Sequence, residues 1–159
     1  MLIQYFLAVS LLVALDQVTK YVAFNYLQSI KSIPIIKDVF HLTFVKNRGA
    51  AFGILQNQRW FFIIMTIAVL LGIIYYYKHL PKYKPYGFIR IALILISAGA
   101  IGNLIDRIRL GFVIDFFDFC LINFPVFNVA DICVVIGTIL LAWLILFTNE
   151  EDLEKKEVE

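Results

Sequence analysis

The chain has 159 residues, of which 62% are hydrophobic, 16% aromatic and 16% charged, with a formal net charge of +2. Charged residues make up about a quarter of a soluble domain, so this composition points to an integral membrane protein. A net charge this small, with much of the positive charge between apolar runs, excludes a nucleic-acid partner.

A membrane-spanning helix needs about 20 mostly apolar residues, and four segments qualify, at about 2–25, 59–78, 88–106 and 129–148. The first opens on an apolar stretch, Met1 to Leu15, of the kind a signal peptide carries. It has no Lys or Arg ahead of it and no small-x-small cleavage site behind it. Asp16-Gln17-Val18-Thr19-Lys20 follows, then more apolar residues, so a first transmembrane helix with polar residues near one end is expected.

The connection at about 26–58 contains Val39-Phe40-His41-Leu42-Thr43-Phe44-Val45, an alternating run that reads as a strand. Asn47-Arg48-Gly49-Ala50-Ala51-Phe52-Gly53 follows, where glycine allows close backbone approach. A small sheet on the membrane surface is expected from this loop. Lys78 to Gly87 is short, basic and broken by Pro81 and Pro85, as cytoplasmic turns are. On the third span Ala98 and Gly102 set small residues four apart, which lets a neighbouring helix come near. The connection at about 107–128 holds Phe112, Phe116, Phe117, Phe119, Phe124 and Phe127, suited to an interfacial loop or helix. The acidic tail, 149–159, reads as a solvated end.

Four spans place both termini on one side. Counting Lys and Arg, the side with the termini has six and the other eight, so charge counting alone does not orient the chain. The charge density of the short loop favours cytoplasmic termini. Cys120 and Cys133 lie thirteen apart with no CxxC and no nearby His, which argues against a zinc or redox motif and for simple packing. His41 and His79 stand alone and support neither a metal site nor a His-based triad.

The polar residues fall in clusters. Asp16 and Lys20 are i, i+4 on a helix; Asn103, Asp106 and Arg107 are i, i+3, i+4; Asn128 and Asp131 are i, i+3 at the start of the fourth span. With alternating topology these clusters, Asn47 and Asp115 all meet at one surface. Asp16–Lys20 and Asp106–Arg107 read as ion pairs that join helices, or as supports of a site. Asp115 and Asp131 have no cation at helical spacing, and an ionisable group near hydrocarbon depth costs at least about 2.5–3.5 kcal/mol. Two such carboxyls close together cannot both ionise cheaply, so the pair holds a proton and suits general acid–base hydrolysis of an amide through a bridging water. Asn103 and Asn128 are then candidate donors to substrate oxygens. A proton-coupled carrier using Asp106, Asp115 and Asp131 as a relay is the rival reading, and a four-span scaffold is a third. A relay needs polar groups at several depths, which the middles of spans two to four lack.

Five blocks in order, Asp16-Gln17-Val18-Thr19-Lys20, Asn47-Arg48-Gly49-Ala50-Ala51-Phe52, Gly102-Asn103-Leu104-Ile105-Asp106-Arg107, Val113-Ile114-Asp115-Phe116 and Phe127-Asn128-Val129-Ala130-Asp131, resemble lipoprotein signal peptidase, the signal peptidase II family of bacterial membrane aspartyl proteases. The resemblance implies a membrane all-α fold with a small β element: four transmembrane helices, an extracytoplasmic surface sheet from the first long loop, and cytoplasmic termini. It implies one catalytic domain over 1–148, in the bacterial cytoplasmic membrane, with its active site at the extracytoplasmic face. It makes Asp115 and Asp131 the catalytic dyad. Asp16, Lys20, Asn47, Gly49, Asn103, Asp106, Arg107, Asn128 and Ala130 match positions that line or brace the site. The substrate implied is a diacylglyceryl-modified prolipoprotein, cut before the lipidated cysteine. Membrane lipid and the cyclic peptide globomycin are the other partners expected, with no metal or cofactor and a monomeric state. Asp118 and Cys120, between the two aspartates, have no place in the family's motifs.

Overall fold

The computed structural model describes residues 2–50, 54–81 and 86–147. The expected tail at 149–159, Lys82 and Lys84 of the basic turn, and Ala51-Phe52-Gly53 lie outside the described residues. Four helices are long and apolar enough to cross a membrane: α1 (Leu2–Ile30), α2 (Arg59–His79), α3 (Tyr86–Arg109) and α4 (Val129–Phe147). Their outward side chains, among them Leu11, Ile64, Leu71, Ile139 and Leu146, are exposed, as suits side chains that meet lipid. The core between helices is correspondingly small. Tyr5, Val9, Tyr77, Leu80, Leu93 and Ala98 form one cluster, pinned by a bond from the Tyr5 hydroxyl to Ser97 Oγ at 2.7 Å.

Helix α1 runs a turn longer than its apolar stretch requires and stops where Lys31 takes a left-handed φ of 70°. Helix α3 likewise continues to Arg109, and Gly111, at φ 81°, follows with the backbone freedom that the exit from a helix requires. Strands β1 (Ser32–Ile36) and β2 (Phe40–Asn47) form the hairpin expected from the first long loop. The second long loop departs from expectation. Its aromatic run is a third strand, β3 (Val113–Asp118), antiparallel to β2, followed by a single 3-10 turn at Cys120–Ile122. The sheet order is β1-β2-β3.

This changes the meaning of the phenylalanines. Phe116 is buried with Ala23, Leu27 and Ile114, where the sheet covers the last turns of α1. Phe119 and Phe124 remain exposed, in keeping with an interfacial position. The close approach of α3 and α4 also differs from expectation. Ala98 packs in the cluster with Tyr5 and Val9, while Gly99 and Gly102 meet α4: a Cβ on Gly99 would overlap the Ala130 carbonyl, and one on Gly102 would lie 3.2 Å from the Ala130 Cβ.

Candidate active site

Helix α4 begins on a reciprocal cap. Asn128 Oδ1 accepts from the Asp131 N–H at 2.9 Å, and Asp131 Oδ2 accepts from the Asn128 N–H at 3.1 Å. A side chain at the N-cap and an acid three residues on satisfy two orphan donors at once, and the acid sits at the positive end of the helix dipole. This local arrangement fixes Asp131 by backbone geometry. Asp115 comes from β3, paired with Val45 of β2. Its Oδ1 accepts from Asn128 Nδ2 at 2.6 Å and its Oδ2 from Asn47 Nδ2 at 2.9 Å. Asn128, fully buried, therefore contacts both acids.

Behind the pair lies a buried knot of charge. Lys20 Nζ is 2.9 Å from Asp16 Oδ2 and 3.2 Å from Asp106 Oδ2. These are the ion pairs among the described residues, so the expected Asp16–Lys20 pair is present. The expected Asp106–Arg107 pair is not: adjacent helical residues point apart, and Asp106 turns inward to Lys20 while Arg107 Nη2 donates to the Gly49 carbonyl at 3.1 Å. The two acids of the knot also take backbone donors. Asp16 Oδ1 accepts from the Ala130 N–H at 2.9 Å and Asp106 Oδ2 from the Ile114 N–H at 3.0 Å. Each acid of the knot thus grips the chain next to one acid of the pair.

Asn103 joins the two groups. Its Oδ1 accepts from Lys20 Nζ at 2.8 Å and from Asn128 Nδ2 at 3.2 Å, which orients its amide so that Nδ2 donates to Asp131 Oδ1 at 2.8 Å. The expectation that Asn128 points a donor at substrate is therefore corrected, while Asn103 lines the cavity with its Nδ2 bonded to Asp131. The Asn128 amide is engaged by Asp115, Asn103 and the Ile114 carbonyl, because a buried carboxylate competes for donors more strongly than a neutral carbonyl. Asn47 also bonds the Gly49 N–H at 2.9 Å through its Oδ1. Gly49 is needed there: a Cβ would come within 2.5 Å of the Ile54 carbonyl.

Burial raises the Asp115 carboxyl to about 7, with the Asp131 carboxylate adding to the rise; the Asn47 and Asn128 amides and Lys20 oppose it. The two acids open on a cavity of about 930 Å³. Asn47, Gly49, Asn103 and Arg107 line it beside them, and Ala100, Val134, Val135 and Ile136 form an apolar wall. Asp16, Lys20, Asp106, Asn128 and Ala130 stand behind that lining. All eleven sequence-designated residues thus belong to one connected network at one end of the helices.

A family model for signal peptidase (SPase) II matches residues 8–147. The chain belongs to the signal peptidase II family. It is 51% identical to the lipoprotein signal peptidase of Clostridioides difficile over 144 residues, covering 90% of this chain and 95% of that one. It is 50% identical to that of Brevibacillus brevis over 133 residues, covering 84% and 88%. Among solved structures it resembles a bacterial membrane enzyme at TM-score 0.81 and 36% identity, over 96% of this chain and 91% of the other. The protein is accordingly a multi-pass membrane endopeptidase of the aspartic type that removes signal peptides from prolipoproteins. The carrier reading is not favoured, and the single-ended polar network gives the physical reason.

Sequence reasoning missed Gln17 as a site residue. Its Nε2 donates to Asp106 Oδ1 at 3.0 Å and to the Gly102 carbonyl at 3.2 Å, bracing α1 against α3. The signal was its place between Asp16 and Lys20 in the first block. His41, an isolated histidine in the sequence, and Asp118 and Cys120, outside the family's motifs, bring a ring nitrogen, a carboxylate oxygen and a thiol sulfur within 4.8 Å of one another.

Proposed function

We propose that Asp115 and Asp131 are the catalytic pair and that the scissile bond precedes a diacylglyceryl-modified cysteine. The observation that carries this reading is the contrast in the site itself: two carboxyls held directly by neutral amides, with one side of their cavity polar and the other apolar. The polar side suits a peptide backbone and the apolar wall suits acyl chains. The pair shares one proton near neutral pH, as two buried like charges must. The ionised carboxylate takes a proton from water as the water oxygen bonds to the carbonyl carbon. The protonated carboxyl donates to the carbonyl oxygen, whose charge is thereby neutralised. Collapse of the tetrahedral intermediate breaks the C–N bond, and the amine leaves with a proton returned by the pair.

Asp16, Lys20, Asp106, Asn103 and Asn128 act as positioning residues, and Asn47, Gly49 and Arg107 hold the loop that borders the cavity. Residues 1–148 make one catalytic domain, working as a monomer in the bacterial cytoplasmic membrane, with 149–159 as a cytoplasmic tail and the cavity at the outer face. Lipid fills the open apolar side between substrates, and globomycin competes for the same cavity. The deciding experiment incubates the purified protein with a diacylated precursor and its unlipidated twin, with and without globomycin. Cleavage confined to the lipidated precursor, blocked by the drug and lost in Asp115→Asn, is the expected result. Equal cleavage of both precursors would remove the lipid requirement, and full turnover by Asp115→Asn would remove that aspartate from the chemistry.

A further inference from the structure

We propose that His41, Asp118 and Cys120 form a transition-metal site of the Zn²⁺ class at the rim of the catalytic cavity. His41 on β2 and Asp118 on β3 are directly paired across the sheet, and Cys120 opens the 3-10 turn two residues further on. One imidazole nitrogen, one carboxylate oxygen and the thiol sulfur lie within 4.8 Å of one another. Zinc bonds of about 2.0–2.3 Å in tetrahedral geometry place ligand atoms roughly 3–4 Å apart. Small side-chain rotations close that difference. A nitrogen, an oxygen and a sulfur donor suit zinc rather than calcium or magnesium, which take oxygen alone. Three protein ligands leave the fourth position to water.

Two further features point to a ligand. His41 Nε2 is buried and has no hydrogen-bond partner, although a buried polar nitrogen is normally satisfied. The Asp118 carboxylate is already oriented: its Oδ2 accepts from Thr43 Oγ1 at 2.7 Å, and Thr43 is bonded to Ser32 Oγ at 2.8 Å. Metal-ligating carboxylates are held by such outer partners. Phe40, the chain neighbour of His41, and Phe119, between Asp118 and Cys120, pack on each other with centroids 4.9 Å apart, and Phe119 stacks on Phe127 at 5.9 Å. An ion here ties the turn to the hairpin, next to Asn123, Phe124 and Phe127 of the cavity wall. The metal role is thus a clip on the rim of the site, separate from the Asp115–Asp131 chemistry.

The test titrates Co²⁺, a spectroscopic stand-in for zinc, into the purified full chain. Saturation at one equivalent, with thiolate-to-cobalt charge transfer in the ultraviolet and the visible bands of four-coordinate cobalt, is expected, and Zn²⁺ should displace both. Cys120→Ser and His41→Ala should lose these bands, Cys133→Ser should keep them, and Thr43→Val should bind roughly tenfold or more weakly. Zn²⁺ should also protect Cys120 of the unaltered protein from alkylation, a readout that needs no variant to fold. Absence of the charge-transfer band, its survival in Cys120→Ser, or alkylation of Cys120 at the same rate with Zn²⁺ present would each overturn the proposal.

Discussion

Two pairs of aspartates lie side by side at one end of this molecule, and they differ in what touches them. Asp16 and Asp106 flank the Lys20 ammonium at 2.9 and 3.2 Å and are 1% and 3% exposed. Asp115 and Asp131 receive only neutral N–H donors directly and open on the cavity. A carboxylate beside an ammonium is held as a charge; the same group among amides and next to another acid is suited to carry a proton. Residue type is common to both, and the neighbour decides the role. Asn103 joins them, so the ammonium acts on Asp131 through one oriented amide.

The sharpest way to break the comparison is to neutralise one member of each pair. Asp131→Asn or Asp115→Asn should lower prolipoprotein cleavage by about 10²–10⁴-fold or more while the protein still folds, with at most a modest fall in melting temperature where the new amide N–H faces a donor. Cleavage rate and thermal unfolding of the same preparations check both halves. Lys20→Met should do the reverse in kind: two buried carboxylates lose their cation, and stability should fall by about 3–5 kcal/mol, read as a lower urea midpoint. An unchanged midpoint would show that the knot does not hold the fold.

Asn103→Ala tests the link. It should lower kcat by about 10² and cost about 1–3 kcal/mol of stability, since Lys20 and Asn128 lose a buried acceptor, whereas a purely structural role would leave kcat of the folded enzyme unchanged. The pH profile sharpens the contrast further. The Asp115 carboxyl is raised from 3.8 to about 7, so between those values the folded state binds a proton that the unfolded state has released. Stability from this group is therefore greatest below about pH 4 and declines as pH rises to about 7. Asp115→Asn should flatten that portion of the curve of stability against pH, and kcat/KM of the unaltered enzyme should fall above about pH 7. The smallest effect is expected from Gly102→Ala. Its new Cβ would stand 2.5 Å from Asp16 Oδ2, and overpacking of this kind costs about 1–3 kcal/mol, measurable as a lower melting temperature with residual activity.

Much was readable from the chain alone. Apolar length located the four spans to within a few residues of Leu2–Ile30, Arg59–His79, Tyr86–Arg109 and Val129–Phe147, because a bilayer's thickness fixes how many residues a helix needs to cross it. Helical spacing paired Asp16 with Lys20 and set Asn128 three residues before Asp131, and the absence of a cation at such spacing singled out Asp115 and Asp131. These are local relations, and a helix imposes them whatever surrounds it.

Relations between segments were decided by packing. Asp106 meets Lys20 across 86 positions of sequence rather than its neighbour Arg107, since a side chain's partner in the core depends on which helix faces it. The aromatic loop became a strand because β2 offered it an unpaired edge. Asn103 and Asn128 point at acids because two helices and a strand bring those acids into their reach. His41, Asp118 and Cys120 come together because antiparallel register sets residues far apart in the chain opposite each other. No period in the sequence encodes that register, since it arises only when the whole sheet closes over α1.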